Sequence, residues 1–519
     1  MTTRTYAVIT MPLQFECPTA VSAEKVISQL QHEAAIRPLS KQSVCKTYYD
    51  SFDWRLYANG LSCQFNRTTL ASSLILRSLN SGRIIASTAL KTMPVFGKEL
   101  EPGLIRDTLA PLLDMRALVP LCSVDVVLHQ LAIMGDDEKT ALQLLIEEYG
   151  ALNTRILLQA EKGRRKTAKH IARCLMAMPG VTATDKPSLL AALHYHGRKP
   201  KDYSSKLNIN LVPDMRADIA SKYIYSHLLK ALKTNEQGTI ADIDSEFLHD
   251  FRVAVRRTRA GLSQIKGIFP ANIAARHADF FSWLGQITGP TRDLDVYLLN
   301  FARYKSSLPE SIREELNPLY DFLLVKQQKA QQELAAKLQS PKYRSALAEW
   351  EQYLKEPCYK QALEPSAKLS IKQLADRRLW KVFARVLKEG KAITGTSEAE
   401  ALHHLRKSCK KLRYLMEFFQ SLYPESEIKR LIKNLKGLQE VLGDFQDYAV
   451  QEHTLKQFSD EMIAQDIPAA TFLAMGVLIQ DLDAHRCNAR NEFAARFEDF
   501  SRAENRAAFK LLTAPKSPD

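Results

Sequence analysis

Two twelve-residue stretches carry most of the chemistry in this sequence: LHDFRVAVRRTR at 248–259 and LHHLRKSCKKLR at 402–413. Each sets a histidine ahead of cations at +3, +7, +8 and +10. The first holds His249, Arg252, Arg256, Arg257 and Arg259; the second holds His403, Arg406, Lys410, Lys411 and Arg413. Guanidinium groups grip oxyanions through paired N–H donors, while ammonium groups act as compact point charges. An imidazole can donate one further hydrogen bond to a phosphate-like oxygen. On a helix turning about 100° per residue, the histidine and the cations at +3, +7 and +10 share one face, with +8 off the stripe. Solvated faces usually alternate sign, because like charges repel and opposite charges support the helix. A same-sign stripe that occurs twice points to a counter-charge from outside the chain.

These stripes need helices, and the helices need a core. Phe251, Ala254, Val255, Leu262, Ile265 and Phe269 form a separate apolar arc in the first copy, and Leu405, Leu412, Met416 and Phe419 do so in the second. The match extends beyond the motif at an offset of 154 residues: Pro270, Arg276, Leu284, Gly289 and Asp293 fall on Pro424, Arg430, Leu438, Gly443 and Asp447. QQELAAKL (331–338) resembles RNEFAARF (490–497) after a short insertion. A duplicated helical bundle is the economical explanation. Lys429, Lys433 and Lys436 add a stripe that could form a rim.

With 519 residues the chain is too long for one core, so more than one domain is expected. Lys plus Arg number 72 against 58 acids, a formal +14, with a pI near 9.2. That balance favours a polyanionic partner such as nucleic acid, anionic lipid or polyphosphate. The eight cysteines are scattered with no Cys-x-x-Cys pair, which argues against a zinc site or a disulfide framework and for a reducing compartment. No run approaches the roughly 20 apolar residues of a membrane span. The first residues lack a signal-peptide pattern, so a cytoplasmic protein is expected.

The first 200 residues have a different period. GLSCQF, SLILRSL, GRIIASTALKT, SVDVVLHQLAIM and ALQLLIEEY, together with YAVITMPLQF at the start, read as strands separated by turn formers. SAEKVISQLQHEAA, capped by Ser22, and RKTAKHIARCLMAM read as helices. The expected organisation is an α+β antiparallel domain over 1–195, a linker over 196–216 and an all-α domain over 217–515. The helical repeats should run over about 217–347 and 371–511.

At its two motifs the second half resembles the CHAD family, the conserved histidine α-helical domain. LGQITGPTRD (284–293) and LQEVLGDFQD (438–447) match a later family element, with Gln446 departing from Arg292. The resemblance implies two pseudo-symmetric four-helix bundles, the basic helices facing a shared groove, and inorganic polyphosphate as ligand. The ten motif residues are then the binding set, with no catalytic residue, metal or cofactor. Localisation at polyphosphate granules would follow. KTYYDSFDWRLYANGLSCQF (46–65), STALKT (87–92) and AEKGRRKTAKHIARCL (160–175) resemble CYTH domains, the triphosphate tunnel enzymes. The departures are larger: no Glu-x-Glu-x-Lys in TYAVITMPLQF, Gln64 and Asn66 in place of paired arginines, and Arg155, Leu157 and Gln159 in place of alternating carboxylates. Such hydrolysis needs carboxylates to hold a divalent ion. The expectation is a degenerate, inactive CYTH-like barrel in which Lys91 and Arg67 could still meet an anion. The alternatives are a triphosphatase in the first half, or general polyanion binding. Nucleic acid is disfavoured as partner but stays open, because the basic faces interleave almost no aromatic residues.

Overall fold

The computed structural model describes residues 13–135, 137–205, 207–359 and 364–513. They form two compact units dividing after Ser205. The part of the expected first strand that precedes Leu13 lies outside the described residues.

The first unit is a nine-stranded antiparallel sheet: β1 (Leu13–Cys17), β2 (Ile36–Asp50), β3 (Leu61–Arg67), β4 (Ser72–Ser78), β5 (Ile84–Ala89), β6 (Val119–Met134), β7 (Thr140–Tyr149), β8 (Thr154–Ala160) and β9 (Thr182–Ala183). The strand order is β5-β4-β3-β2-β6-β7-β8-β1-β9. Helices α1 (Ala23–Gln31), α2 (Arg55–Ala58), α3 (Leu104–Leu113), α4 (Arg165–Ala177) and α5 (Ser188–Tyr195) cover it. Ser22 caps α1 by accepting from the Lys25 N–H, as its sequence position suggests.

Alternation along the strands sorts side chains to two faces. Phe15, Leu144, Ile146, Ile156 and Leu158 pack with Val26 and Leu30 of α1 and Ile171 and Leu175 of α4. The other face turns Gln14, Gln64, Arg77, Glu147 and Arg155 inward, beside Ser188 and Leu189 of α5. The stretch after α5 is docked on this unit: Trp54 Nε1 donates to Asp202 at 2.9 Å and Tyr203 is buried.

The second unit is all helical. Repeat one holds α6 (Ala217–Ile240), α7 (Ser245–Gln264), α8 (Ala271–Ile287), α9 (Gly289–Ser307), α10 (Asn317–Leu338) and α11 (Pro341–Lys355). Repeat two holds α12 (Ile371–Lys391), α13 (Ala399–Phe419), α14 (Glu425–Ile463), α15 (Ala469–Ser501) and α16 (Ala503–Thr513). At the repeat offset α6 falls on α12 and α7 on α13, while α8 and α9 together correspond to the single helix α14. Pro290 explains the break. It sits in the first turn of α9, has no N–H, and its ring would clash with the carbonyl four residues back. Repeat two has Asp444 there and runs straight through.

Both cores mix the repeats. One joins Phe251 and Val255 of α7 and Phe281 of α8 with Phe383 of α12, Leu412 of α13 and Leu438 of α14. The other joins Tyr297 of α9 and Leu323 of α10 with Phe458 of α14 and Leu478 of α15. The approach to α6 is packed too: Ile209 and Leu211 are buried, and the Leu211 N–H donates to Ser421 Oγ at 3.0 Å. Residues 196–205 and 207–216, read from composition as a linker, thus lie docked on the first and second units.

Candidate polyanion-binding site

Helix α7 forms because Asp244 caps it, accepting from the N–H groups of Glu246 and Phe247, and because Phe247, Leu248, Phe251, Ala254 and Val255 repeat at helical spacing on its buried side. Helix α13 buries Leu402, Leu405, Cys409, Leu412, Met416 and Phe419 in the same way. With these faces in one core, the basic faces of both helices turn to a common side. They line a groove of about 910 Å³, walled on its flank by α8. Arg256, Arg259 and Lys266 enter from α7 and its C-terminal end, and Lys407, Lys410 and Lys411 enter from α13. Asp279 and Glu364 are the acids in the lining, and Leu262, Ile265, Ile268, Phe269, Tyr414 and several alanines supply its apolar part.

The closeness of the two stripes leaves an electrostatic trace. Burial brings the Lys410 ammonium down to about 8, and Arg406 and Arg256 push the same way while Asp447 opposes. Burial likewise lowers Arg252 to about 10, against the pull of Asp293 and with Arg256, Arg292 and Arg259 adding to the shift. Both remain charged at neutral pH. Arg256 Nε and Arg252 Nε are buried without a hydrogen-bond partner. Arg259 lies over Gly285, where a Cβ would come within 2.6 Å of its Nη1.

The other expected residues bond to groups outside the groove lining. Arg252 Nη1 donates to Thr288 Oγ1 at 2.9 Å and to the Gly285 carbonyl at 3.3 Å. Arg406 donates to Asp447 at 2.8 Å. Arg257 pairs with Glu417 at 2.9 Å and Arg413 approaches the same carboxylate at 3.6 Å, so Glu417 holds both. His249 accepts at Nδ1 from Arg292 at 3.1 Å, which leaves its proton on Nε2. His403 Nδ1 faces Gln446 Oε1 at 2.7 Å and so donates. In both copies the partner lies 43 residues on. Gln446, which stands where the first copy has Arg292, thus contacts its histidine.

Of the ten residues read from the motifs, Arg256, Arg259, Lys410 and Lys411 line the groove. The other six, His249, Arg252, Arg257, His403, Arg406 and Arg413, do not line it. Lys407 was missed because it falls on Val253 and leaves no repeat signal. Glu417 was missed although its spacing from Arg413 is a readable i,i+4 pair. The proposed rim lysines Lys429, Lys433 and Lys436 are outside the lining, and Lys429 pairs with Glu425.

In the first unit, Arg67 is exposed and stacks over Phe65, and Lys91 is exposed beyond the end of β5. Neither faces the interior, where Lys46, Arg77 and Arg155 are gathered instead. Lys46 bonds to Glu147 at 2.9 Å and to Tyr149 at 3.0 Å, and Tyr149 donates to Glu147 at 2.6 Å. Burial pushes Glu147 upward, but Lys46 and Arg77 outweigh it and hold the carboxyl down at about 2. The register sets Glu16 and Glu147 opposite Arg155. The inner face thus does carry carboxylates, Glu16 one residue past TYAVITMPLQF and Glu147 on the strand before RILLQ. The cavity left between these groups measures about 30 Å³.

The family model for the CHAD domain matches residues 224–456. Those residues are a CHAD domain. Among known proteins, uncharacterised proteins from two Mycobacterium tuberculosis strains are 28% identical over 255 residues, 48% of this chain and 47% of theirs. The chain thus spans about half the length of these curated relatives. Among solved structures, the CHAD domain from the plant Ricinus communis is similar at TM-score 0.44 and 24% identity, covering 60% of this chain and 98% of its own. PptA from Streptomyces chartreusis follows at TM-score 0.42 and 16% identity, over 55% of this chain and 99% of its own. A putative adenylyl cyclase from Hippeastrum, described as having a dominant triphosphatase activity, is similar at TM-score 0.28 and 13% identity, over 37% of this chain and 99% of its own. Among the described residues no helix is long and apolar enough to cross a membrane.

Proposed function

We propose that this chain binds inorganic polyphosphate in the groove between α7 and α13, and that it does so without catalysis. The observation that carries the reading is a single groove supplied with cations by both copies of the motif, six in all against two acids. A linear phosphate polymer presents about one charge per phosphate and no base edges, so rows of Arg and Lys are the recognition it calls for. Nucleic acid is the weaker reading, because Tyr414 and Phe269 are the aromatic groups in the lining and offer little base stacking. Attachment to polyphosphate granules follows from the same chemistry.

The first unit is read as a non-hydrolytic domain. Divalent ions that serve phosphate chemistry need open carboxylate oxygens, whereas Glu147 is taken up by Lys46 and Tyr149. An interior of about 30 Å³ holds about one water. No Mg²⁺- or Mn²⁺-dependent phosphate release from triphosphate is expected of the full chain, and its detection would restore the enzymatic alternative.

The test is a joint replacement of Arg252, Arg256, Arg406 and Lys410 by alanine. Binding of long-chain polyphosphate should be lost while far-ultraviolet circular dichroism stays that of the parent. Undiminished affinity at moderate salt would refute the site. Competition by tRNA and duplex DNA as strong, charge for charge, as that by polyphosphate would make the protein a general polyanion binder.

A further inference from the structure

On the outer face of the first unit, three donor atoms of different chemistry converge. His170 and Cys174 stand one turn apart on α4, and Glu33 follows the end of α1. His170 Nε2 lies 3.6 Å from Glu33 Oε2 and 3.7 Å from Cys174 Sγ, and the three atoms all lie within 4.8 Å of one another. The first separation is long for an N–H···O hydrogen bond. Both lie above the edges of a metal tetrahedron by about 0.3 Å or less. Bonds of about 2.0–2.1 Å to nitrogen and oxygen and 2.3 Å to sulfur, at tetrahedral angles, set such edges at roughly 3.3–3.6 Å.

We propose that Glu33, His170 and Cys174 form a binding site for a divalent ion of the zinc class, with a fourth position left to water. Thiolate, imidazole and carboxylate together suit zinc over the hard cations magnesium and calcium. The scaffold is fixed before any ion arrives: Val26 and Leu30 hold α1, and Ile171 and Leu175 hold α4, in one core against the sheet. Among the described residues Glu33 makes no ion pair with a Lys or Arg, so no resident cation competes for it. A second cluster, Glu24, His129 and Glu148, lacks this freedom. Lys41 bonds Glu24 at 3.0 Å and the Ala23 N–H bonds Glu148 at 3.1 Å. An ion at the first site would tie α1 to α4 and thereby clamp the outer layer of the sheet.

The experiment uses the full chain, reduced and free of polyphosphate, with Co²⁺ as the spectroscopic probe and Zn²⁺ as competitor. One equivalent of Co²⁺ should give tetrahedral visible bands and a near-ultraviolet thiolate charge-transfer band, both displaced by Zn²⁺. Cys174→Ser should abolish the charge-transfer band, and Glu33→Gln should weaken Co²⁺ binding at least tenfold. Zn²⁺ should raise the melting temperature of the parent and leave that of His170→Ala unmoved. These side chains are partly or fully exposed, so the variants should fold. An unchanged Co²⁺ spectrum in Cys174→Ser would place the signal on another thiol, such as exposed Cys45 or Cys487, and overturn the proposal. So would the absence of any thiolate band in the parent.

Discussion

Raising the pH from 7 to 9 should loosen polyphosphate through one side chain. Burial, with Arg406 and Arg256, brings Lys410 down to about 8, and a polyanion in the groove favours its charged form. Binding is therefore coupled to proton uptake. At pH 7 about nine in ten molecules already carry the proton, and at pH 9 about one in ten. Protonating the side chain at pH 9 then costs about 1.4 kcal/mol, which is about tenfold in affinity. Lys410→Arg keeps its charge throughout and should flatten the profile. Calorimetry in buffers of different ionisation enthalpy should find about half a proton taken up at pH 8 and nearly one at pH 9. A wild-type profile that is flat between pH 7 and 9, or an equal slope in Lys410→Arg, would refute the reasoning. The free protein should respond in the opposite sense. The folded value lies below the ordinary 10.5, so the unfolded chain binds more protons between about pH 8 and 10.5, and this group's contribution to stability rises with pH there.

Gly285→Ala should separate binding from folding: alanine suits a helix interior better by about 1 kcal/mol, yet its methyl would displace Arg259. Thermal melting should hold or rise while polyphosphate affinity falls several-fold, and unchanged affinity would remove Arg259 from the site. Lys46→Met leaves Glu147 buried without its cation and should cost about 3–5 kcal/mol in urea denaturation; a loss below about 1 kcal/mol would contradict the pairing. Glu417→Gln removes the carboxylate charge that pairs with Arg257 and Arg413 and should tighten polyphosphate at low salt. No gain would mean that neither arginine reaches the ligand.

The sequence reached the helices more readily than the side-chain ends. Periodicity located α7 and α13 because their apolar arcs, Phe251 to Val255 and Leu405 to Met416, are continuous and become core. The helices keep the repeat offset: α12 and α13 begin 154 residues after α6 and α7. What a helical wheel cannot report is where a long arginine goes once other helices arrive. Arg252 turns to Thr288 and Arg406 to Asp447, both about forty residues away in the chain. Gln446 replaced Arg292 and still met its histidine, because a glutamine oxygen satisfies the same Nδ1 from the acceptor side. In the sheet, a search for carboxylates by motif passed over Glu16 and Glu147, which strand register brings beside Arg155. Cysteine spacing likewise has no means of finding a cluster that uses a single thiol and borrows its other donors from His170 and another helix.

The most direct measurement is the salt dependence of polyphosphate affinity for the parent and for Arg256→Ala combined with Lys410→Ala. Counterion release from a single-stranded polyanion contributes about 0.7 to the slope of log K against log salt for each charge neutralised. Six groove cations therefore set a parent slope of up to about 4, and losing one cation from each helix should lower it by about 1.4. Equal slopes in the two proteins would contradict a groove in which both helices grip one ligand.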